Sequence, residues 1–373
     1  MLFMASAGFG FPQIAAIFPD SGGWQFLSFQ TSHAMWIGGG AWDMIQPSFM
    51  FMVGVAMPYS YARRLREGHR FTRNLGHALW RALVLVLLAV FLASKSAKQT
   101  TWIFTNVLGQ IGLGYAFLFL LLGRGWKVQL AALLAVAVGF WGAFASSALP
   151  PPDFDYALVG VKATEVKDCV LPGFFAHWNK GTNAAAGFDR WFLNLFPTAK
   201  PFVFNAGGYQ TLNFVPSIIT MILGLMTGEM LRRESLTARQ RLRWLALVGA
   251  ACLAAGLLAG WTVCPIVKRI WTPSWALYSG GIALWILAAF YAVIEVGGWR
   301  RWTFPFVVVG MNSIAIYLMD QLIAGWLADQ LKIHLGPTIF SGTFGILWLR
   351  CGVLLMLWLA CWWLYRRKIF LRI

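Results

Sequence analysis

Long apolar runs, each about 20 residues and separated by short arginine-rich segments, constrain this chain more than any other feature. A run of that length spans the hydrocarbon of a bilayer as a helix, where every backbone polar group must be satisfied internally. About ten such runs can be read: 1–18, 45–62, 77–94, 102–123, 127–148, 213–231, 242–262, 274–296, 304–332 and 343–365. The expected fold is therefore all-α, a polytopic transmembrane helix bundle forming a single domain over 1–373. Residues 149–212, opening on Pro150, Pro151 and Pro152, make one long extramembrane loop. Composition agrees: 59% of the residues are hydrophobic and 12% charged, against roughly 45–50% and 25% in soluble domains. A soluble enzyme, a disordered chain and a disulfide-stapled module are excluded.

The basic residues are sorted. Arg63, Arg64, Arg66, Arg70 and Arg73 follow the second run, and Arg232, Arg233, Arg239, Arg241 and Arg243 follow the sixth. Arg124 with Lys127, Arg300 with Arg301, and the tail Arg366, Arg367, Lys368 and Arg372 complete the set. If every run crosses once, all five groups share one side, which the positive-inside rule makes cytoplasmic. That side holds 18 Lys/Arg against four acids, the other 10 against eight. The net charge of +17 is thus chiefly topological, and no nucleic-acid partner is needed to account for it. Both termini are expected in the cytoplasm of a cell with the protein in its plasma (inner) membrane, and 149–212 outside. The first run lacks a basic n-region and is interrupted by Gly8, Gly10 and Pro12, so the chain is expected to begin inside a helix. The ninth run, at about 1.5 Å per residue, is too long to cross upright and must tilt or break.

Phosphate-loop, nucleophile-elbow, CxxC and HExxH signatures are missing, and no metal site is expected. Cys169 and Cys264 both fall outside, but a disulfide between them is not the favoured reading. Chemistry must come from polar residues set where apolar ones would be cheaper. In Ser32-His33-Ala34-Met35-Trp36-Ile37-Gly38-Gly39-Gly40-Ala41-Trp42-Asp43, an imidazole and a carboxylate share an outside segment. Together they could form a general base; an interfacial histidine and a helix-capping aspartate are the structural alternative. Lys268 and Arg269, between Trp261 and Trp275, are cations on the side that should be poor in them. They suit an anionic group or a sugar stacked on tryptophan, or they anchor headgroups. Ser313, Tyr317 and Asp320 fall on one face of a late span, where a carboxylate is a functional candidate or the partner of Arg350. Asn213, after Gly207-Gly208-Tyr209-Gln210, either lines a cavity or ends a loop. Asn106 and Gln110 share a face in the fourth run and serve a ligand or a helix contact.

At these residues the chain resembles the heparan-α-glucosaminide N-acetyltransferase family, bacterial members included. The resemblance rests on His33-Ala34-x-Trp36…Asp43-x-x-x-Pro47-x-Phe49-x-Phe51-x-x-Gly54. It is extended by Cys264-Pro265-Ile266-x-Lys268-x-Ile270-Trp271-Thr272-x-Ser274 and by Gly310-Met311-Asn312-Ser313-Ile314 with Tyr317. It implies a polytopic enzyme that moves an acetyl group from acetyl-CoA to the amine of a terminal glucosamine across the membrane. It also implies that His33 is the catalytic histidine and Asp43 the acidic residue that accompanies it. Asn312 and Ser313 match the family's late polar pair. Gly109-Gln110-Ile111-Gly112 stands where Gln-Arg-Ile-Gly is common, so a cation is lost, and the family's asparagine near the end of the first span has no clear match.

The expected site is therefore His33 and Asp43 for catalysis. Trp36, Gln110, Asn213, Lys268, Arg269, Trp271, Ser274, Asn312, Ser313 and Asp320 are expected to contact acetyl-CoA or the acceptor. His33 would deprotonate the attacking amine, and Asn213, Asn312 or Ser313 would donate to the oxyanion; an acetyl-histidine intermediate stays open. The expected partners are the lipid bilayer, acetyl-CoA and a small sugar or glycan, with a homodimer allowed. The rival reading is a proton-coupled transporter of a sugar or small solute, using Asp320 and His33.

Overall fold

The computed structural model describes residues 1–371, without the side chains of Arg63 and Leu65; Arg372 of the basic tail lies outside the described residues. Among these, the secondary structure is helical, with isolated bridges from Ile37 and Gly38 to Val267. Six helices are long and apolar enough to cross a membrane: Phe71–Ser94, Trp126–Ala145, Thr211–Leu231, Ala238–Thr262, Pro273–Val296 and Gly345–Arg366.

The ninth run does break. Arg301–Met311 and Ser313–Leu335 meet at 69°, because Asn312 between them leaves the helical region at φ −128° and ψ 40°. The first run is interrupted as well: Ala7, Gly8, Phe9 and Gly10 all have positive φ. The fourth run is helical over only Val107–Leu121. Asn106 does not extend that helix. Its Oδ1 caps it by accepting from Gly109 N at 3.0 Å, and its Nδ2 donates to the Ala89 carbonyl at 2.9 Å.

The chain divides into two compact units. The larger comprises Met35–Gly38 and Gln46–Val296. Its central helix is Phe214–Leu231, with 72% of its most apolar window buried, against 22–33% in the other candidate spans. Lipid is as apolar as leucine, so helices in a bilayer associate through close backbone approach. Gly224 sits against the Phe51 carbonyl and Gly228 against that of Val55, both too close to leave room for a Cβ. Gly54 meets the same helix at Met221 and Leu225. Gly249, Gly256 and Gly281 do the same for Ala238–Thr262 against Pro273–Tyr291.

Residues 149–212 are packed against the rest of the larger unit. They carry the helix Ala184–Phe192 and several single turns. Val159, Val161, Cys169, Leu171, Trp178 and Ala185 form a core with Phe140, Phe144, Trp36, Cys264, Val267 and Ile270. Cys169 and Cys264 are both buried free thiols of that core. Burial raises both thiol pKa values, that of Cys264 to about 12, which keeps them protonated and inert.

The smaller unit comprises Met1–Ala34, Gly39–Ile45 and Gly297–Ile373. Its core is Ala5, Val308, Val309, Ile316, Val353, Leu357 and Cys361.

Candidate functional site

In the smaller unit, the helix Gly22–Gln30 stops at Thr31, whose hydroxyl turns back to the Leu27 carbonyl. The chain then carries His33, and re-enters the unit at Gly39 and Gly40. Gly40 is extended, and a Cβ there would lie 2.8 Å from the Phe29 carbonyl, so glycine is required. It caps the single turn Ala41–Met44, in which Asp43 is the third residue. Asp43 Oδ2 accepts from Gly40 N at 3.3 Å and from Ala34 N at 3.0 Å. Its Oδ1 lies 2.7 Å from His33 Nδ1. The Asp43 side chain is 1% exposed and that of His33 41%.

An ionised carboxylate only accepts, so Nδ1 carries the imidazole proton and the lone pair of a neutral ring lies on Nε2. Such an arrangement orients a general base. Trp42 meets the imidazole edge-on at 6.4 Å and is itself held by Phe3. Asp43 caps a turn, as the structural alternative has it, and at the same time hydrogen-bonds the histidine.

The larger unit gathers a second set. Gly38 N donates to the Ile266 carbonyl at 2.8 Å, so segment 35–38 runs beside the loop before Lys268. Trp36 is buried under Gly208 and donates to the Trp178 carbonyl. Lys268 Nζ donates to Tyr209 Oη at 3.1 Å and lies over that ring. Arg269 shares the ring and donates to the Gly207 carbonyl at 2.7 Å. Asn213 Nδ2 donates to the Arg269 carbonyl at 2.7 Å. Ser274 is fully buried, donating to the Pro265 carbonyl and paired with Thr272, which caps Pro273–Tyr291. Trp271, at φ +48°, turns inward. The structure thus joins the 207–213 and 265–274 segments, which the sequence could only number separately.

The remaining candidates lie elsewhere. Gln110 accepts from Gln46 and donates to the Thr105 carbonyl. Asn312, in the smaller unit, donates to the Ile369 carbonyl and accepts from Leu371 N, tying down the tail. Ser313 opens the helix after the break, and Asp320 accepts from Gln321. Among the described residues, no group of three or more His, Cys, Asp or Glu could hold a metal ion.

Sequence reasoning passed over Asp189, which is 1% exposed and accepts from Thr211 N. The sequence carried no clear signal, because Asp189 is followed directly by Arg190 in Ala184–Phe192 and reads as half of an exposed charge pair. Lys180 and Glu165, paired at 2.8 Å, were also passed over.

A family model for the catalytic part of heparan-α-glucosaminide N-acetyltransferase matches residues 20–168. The human heparan-α-glucosaminide N-acetyltransferase (Homo sapiens) is 24% identical across 98% of this chain and 58% of its own length. The mouse protein of the same name (Mus musculus) is 23% identical across 87% and 54%. Residues 20–168 are thus similar to the catalytic part of that family. The chain spans about half the length of the curated relatives it matches. The matched stretch contains His33, Trp36, Asp43 and Gln110, and so includes both members of the His33–Asp43 pair. Lys268, Arg269, Asn213 and Asn312 lie beyond it.

Proposed function

We propose that this protein is a membrane-embedded acyltransferase that moves an acetyl group from acetyl-CoA to the amine of a glucosamine-type sugar on the extracytoplasmic side. One observation carries the reading: a half-exposed imidazole on a buried, backbone-held carboxylate, inside the stretch that a catalytic acetyltransferase model matches.

His33 Nε2 takes the proton of the amine as its nitrogen attacks the thioester carbonyl, and Asp43 stabilises the resulting imidazolium. The tetrahedral intermediate collapses, the C–S bond breaks, and the leaving thiolate receives the proton from His33. Ser313 is a candidate oxyanion donor. The amides of Asn213 and Asn312 each already give one N–H to a carbonyl, which leaves them a single N–H for that task. Trp36, Gln110, Trp271, Ser274 and Asp320 act in this reading by shaping the regions that receive donor and acceptor, and Lys268 and Arg269 supply positive charge for the anionic end of the donor. The charge sorting supports about ten crossings, with 149–212 outside and both termini in the cytoplasm.

The test is mass analysis of products after the purified protein meets acetyl-CoA and a panel of amino sugars. An acetylated amine with wild type and none with His33→Ala supports the reading; equal product from both ends it. One observation favours the transporter reading: the 69° break at Asn312, followed by Asp320 in a spanning helix, is the form that solute sites take in transporters. Uptake of a sugar by proteoliposomes without acetyl-CoA would establish it.

A further inference from the structure

The segment 181–210 encloses a cleft that the dyad chemistry does not use. It is narrow, with space for roughly one water-sized group. Phe202, Phe204 and Tyr209 form its aromatic walls, and Asp189, Gln210 and Asn205 its polar lining. Asp189 is 1% exposed and Gln210 3%. Thr211 N approaches the Asp189 carboxylate at 3.0 and 3.3 Å with the Thr211 hydroxyl beside it, and no Lys or Arg pairs with it among the described residues. The neighbouring Arg190 gives its guanidinium to the Gly181 carbonyl. Gln210 Oε1 has no hydrogen-bond partner.

A carboxylate buried without a cation is costly, and an orphaned acceptor beside it adds to the cost. Burial accordingly pushes the Asp189 carboxyl up to about 6. One hydroxyl, that of Thr211, stands against an uncompensated negative charge and the orphaned Gln210 oxygen, so the cleft suits a cationic group that is all donors and no larger than water. A protonated primary amine meets both conditions, and an aromatic wall attracts it further. A neutral hydroxyl brings one donor and no charge, and an amide is too large.

We propose that this cleft captures the ammonium group of an amino-sugar substrate, with Asp189 and Gln210 as its acceptors and the sugar ring against the aromatic wall. The identity of the amine as a sugar rests on the transferase reading; the ammonium site itself does not. Capture involves no bond making, and transfer stays with His33.

Binding of glucosamine, N-acetylglucosamine, glucose and sodium chloride should be measured by calorimetry at pH 7 on the full chain without acetyl-CoA. Glucosamine is expected to bind at least about tenfold more tightly than the two sugars without an ammonium. Asp189→Asn should weaken it by about 10–100-fold, the range for a charge-assisted hydrogen bond, and Gln210→Ala by a few-fold. Undiminished binding by Asp189→Asn would overturn the proposal, as would N-acetylglucosamine binding equally well. An Asp189-dependent sodium signal that saturates the site would also overturn it. Asp189→Asn is isosteric and removes a buried charge, so it should fold; Gln210→Ala gives an independent decision. Loss of capture in Asp189→Asn without acetylation of any amine would leave this site standing and sink the transferase. Acetylation with undiminished binding would do the reverse.

Discussion

Asp43 and Asp189 are equally buried, each 1% exposed, yet they sit in opposite electrostatic situations. Asp43 has a histidine on one oxygen and two backbone amides on the other. Asp189 has a single backbone amide shared between its oxygens. The first is a satisfied anion that holds a histidine, and the second an anion with no charged partner among the described residues. Burial alone therefore says little about a carboxylate's role; the number and kind of its donors decide it.

The sharpest way to break the contrast is at His33. His33→Ala is expected to lower kcat/KM for acetyl transfer by about 10²–10⁴-fold, the range for loss of a general base, with thermal unfolding unchanged because the ring is partly exposed. A comparable loss of stability would mean that the ring is structural. Asp43→Asn should keep Ala34 N and Gly40 N partnered but lose control of the imidazole tautomer. A loss in kcat of about tenfold or more, largely in kcat rather than KM, is expected; a change confined to KM would remove Asp43 from the dyad.

Asp189 should behave in the opposite sense, in stability rather than rate. Its folded pKa, about 6, lies above the ordinary 3.8. It therefore lends stability that is complete below about pH 3.8 and lost as pH rises through about 6. Asp189→Asn should flatten that dependence and raise stability at pH 7, by at most about 3 kcal/mol. Thermal scans of the two proteins from pH 4 to 7 would show it, and parallel curves would remove the contrast. The smallest effect is expected at Glu165, whose Lys180 partner holds its carboxyl below the usual range. Stability linked to that pair should be present above pH 4.5 and decline as pH falls through the lowered value. Glu165→Gln should abolish this small decline in the same scans.

Much of this was legible in the sequence, for reasons particular to each element. Ten residues separate His33 from Asp43, with three glycines between, so a local turn suffices to bring them together. An apolar run too long for the bilayer called for a tilt or a break, and the structure breaks it at Asn312. Lys268 and Arg269 stood out as cations on the side expected to be poor in them, but Tyr209, their shared partner, lies about 60 positions away. Ser274 read as a contact residue, whereas its hydroxyl is occupied by the Pro265 carbonyl within the same turn. Asp189 was unremarkable as one acid of a loop, because nothing in its neighbours announces that they will bury it.

By itself the sequence determined the membrane character, the helical class and the spacing of the arginine clusters, and it put His33 within reach of Asp43. Partition of a 20-residue run into lipid and closure of a ten-residue turn are local events, governed by composition and spacing. Only the tertiary structure decided that 149–212 folds around Trp178, and that 35–38 pairs with 266–267. It also decided that Asp189 is left without a cation. Those outcomes depend on which distant segments pack together, and the energy of a buried charge is set by neighbours that the chain order does not name.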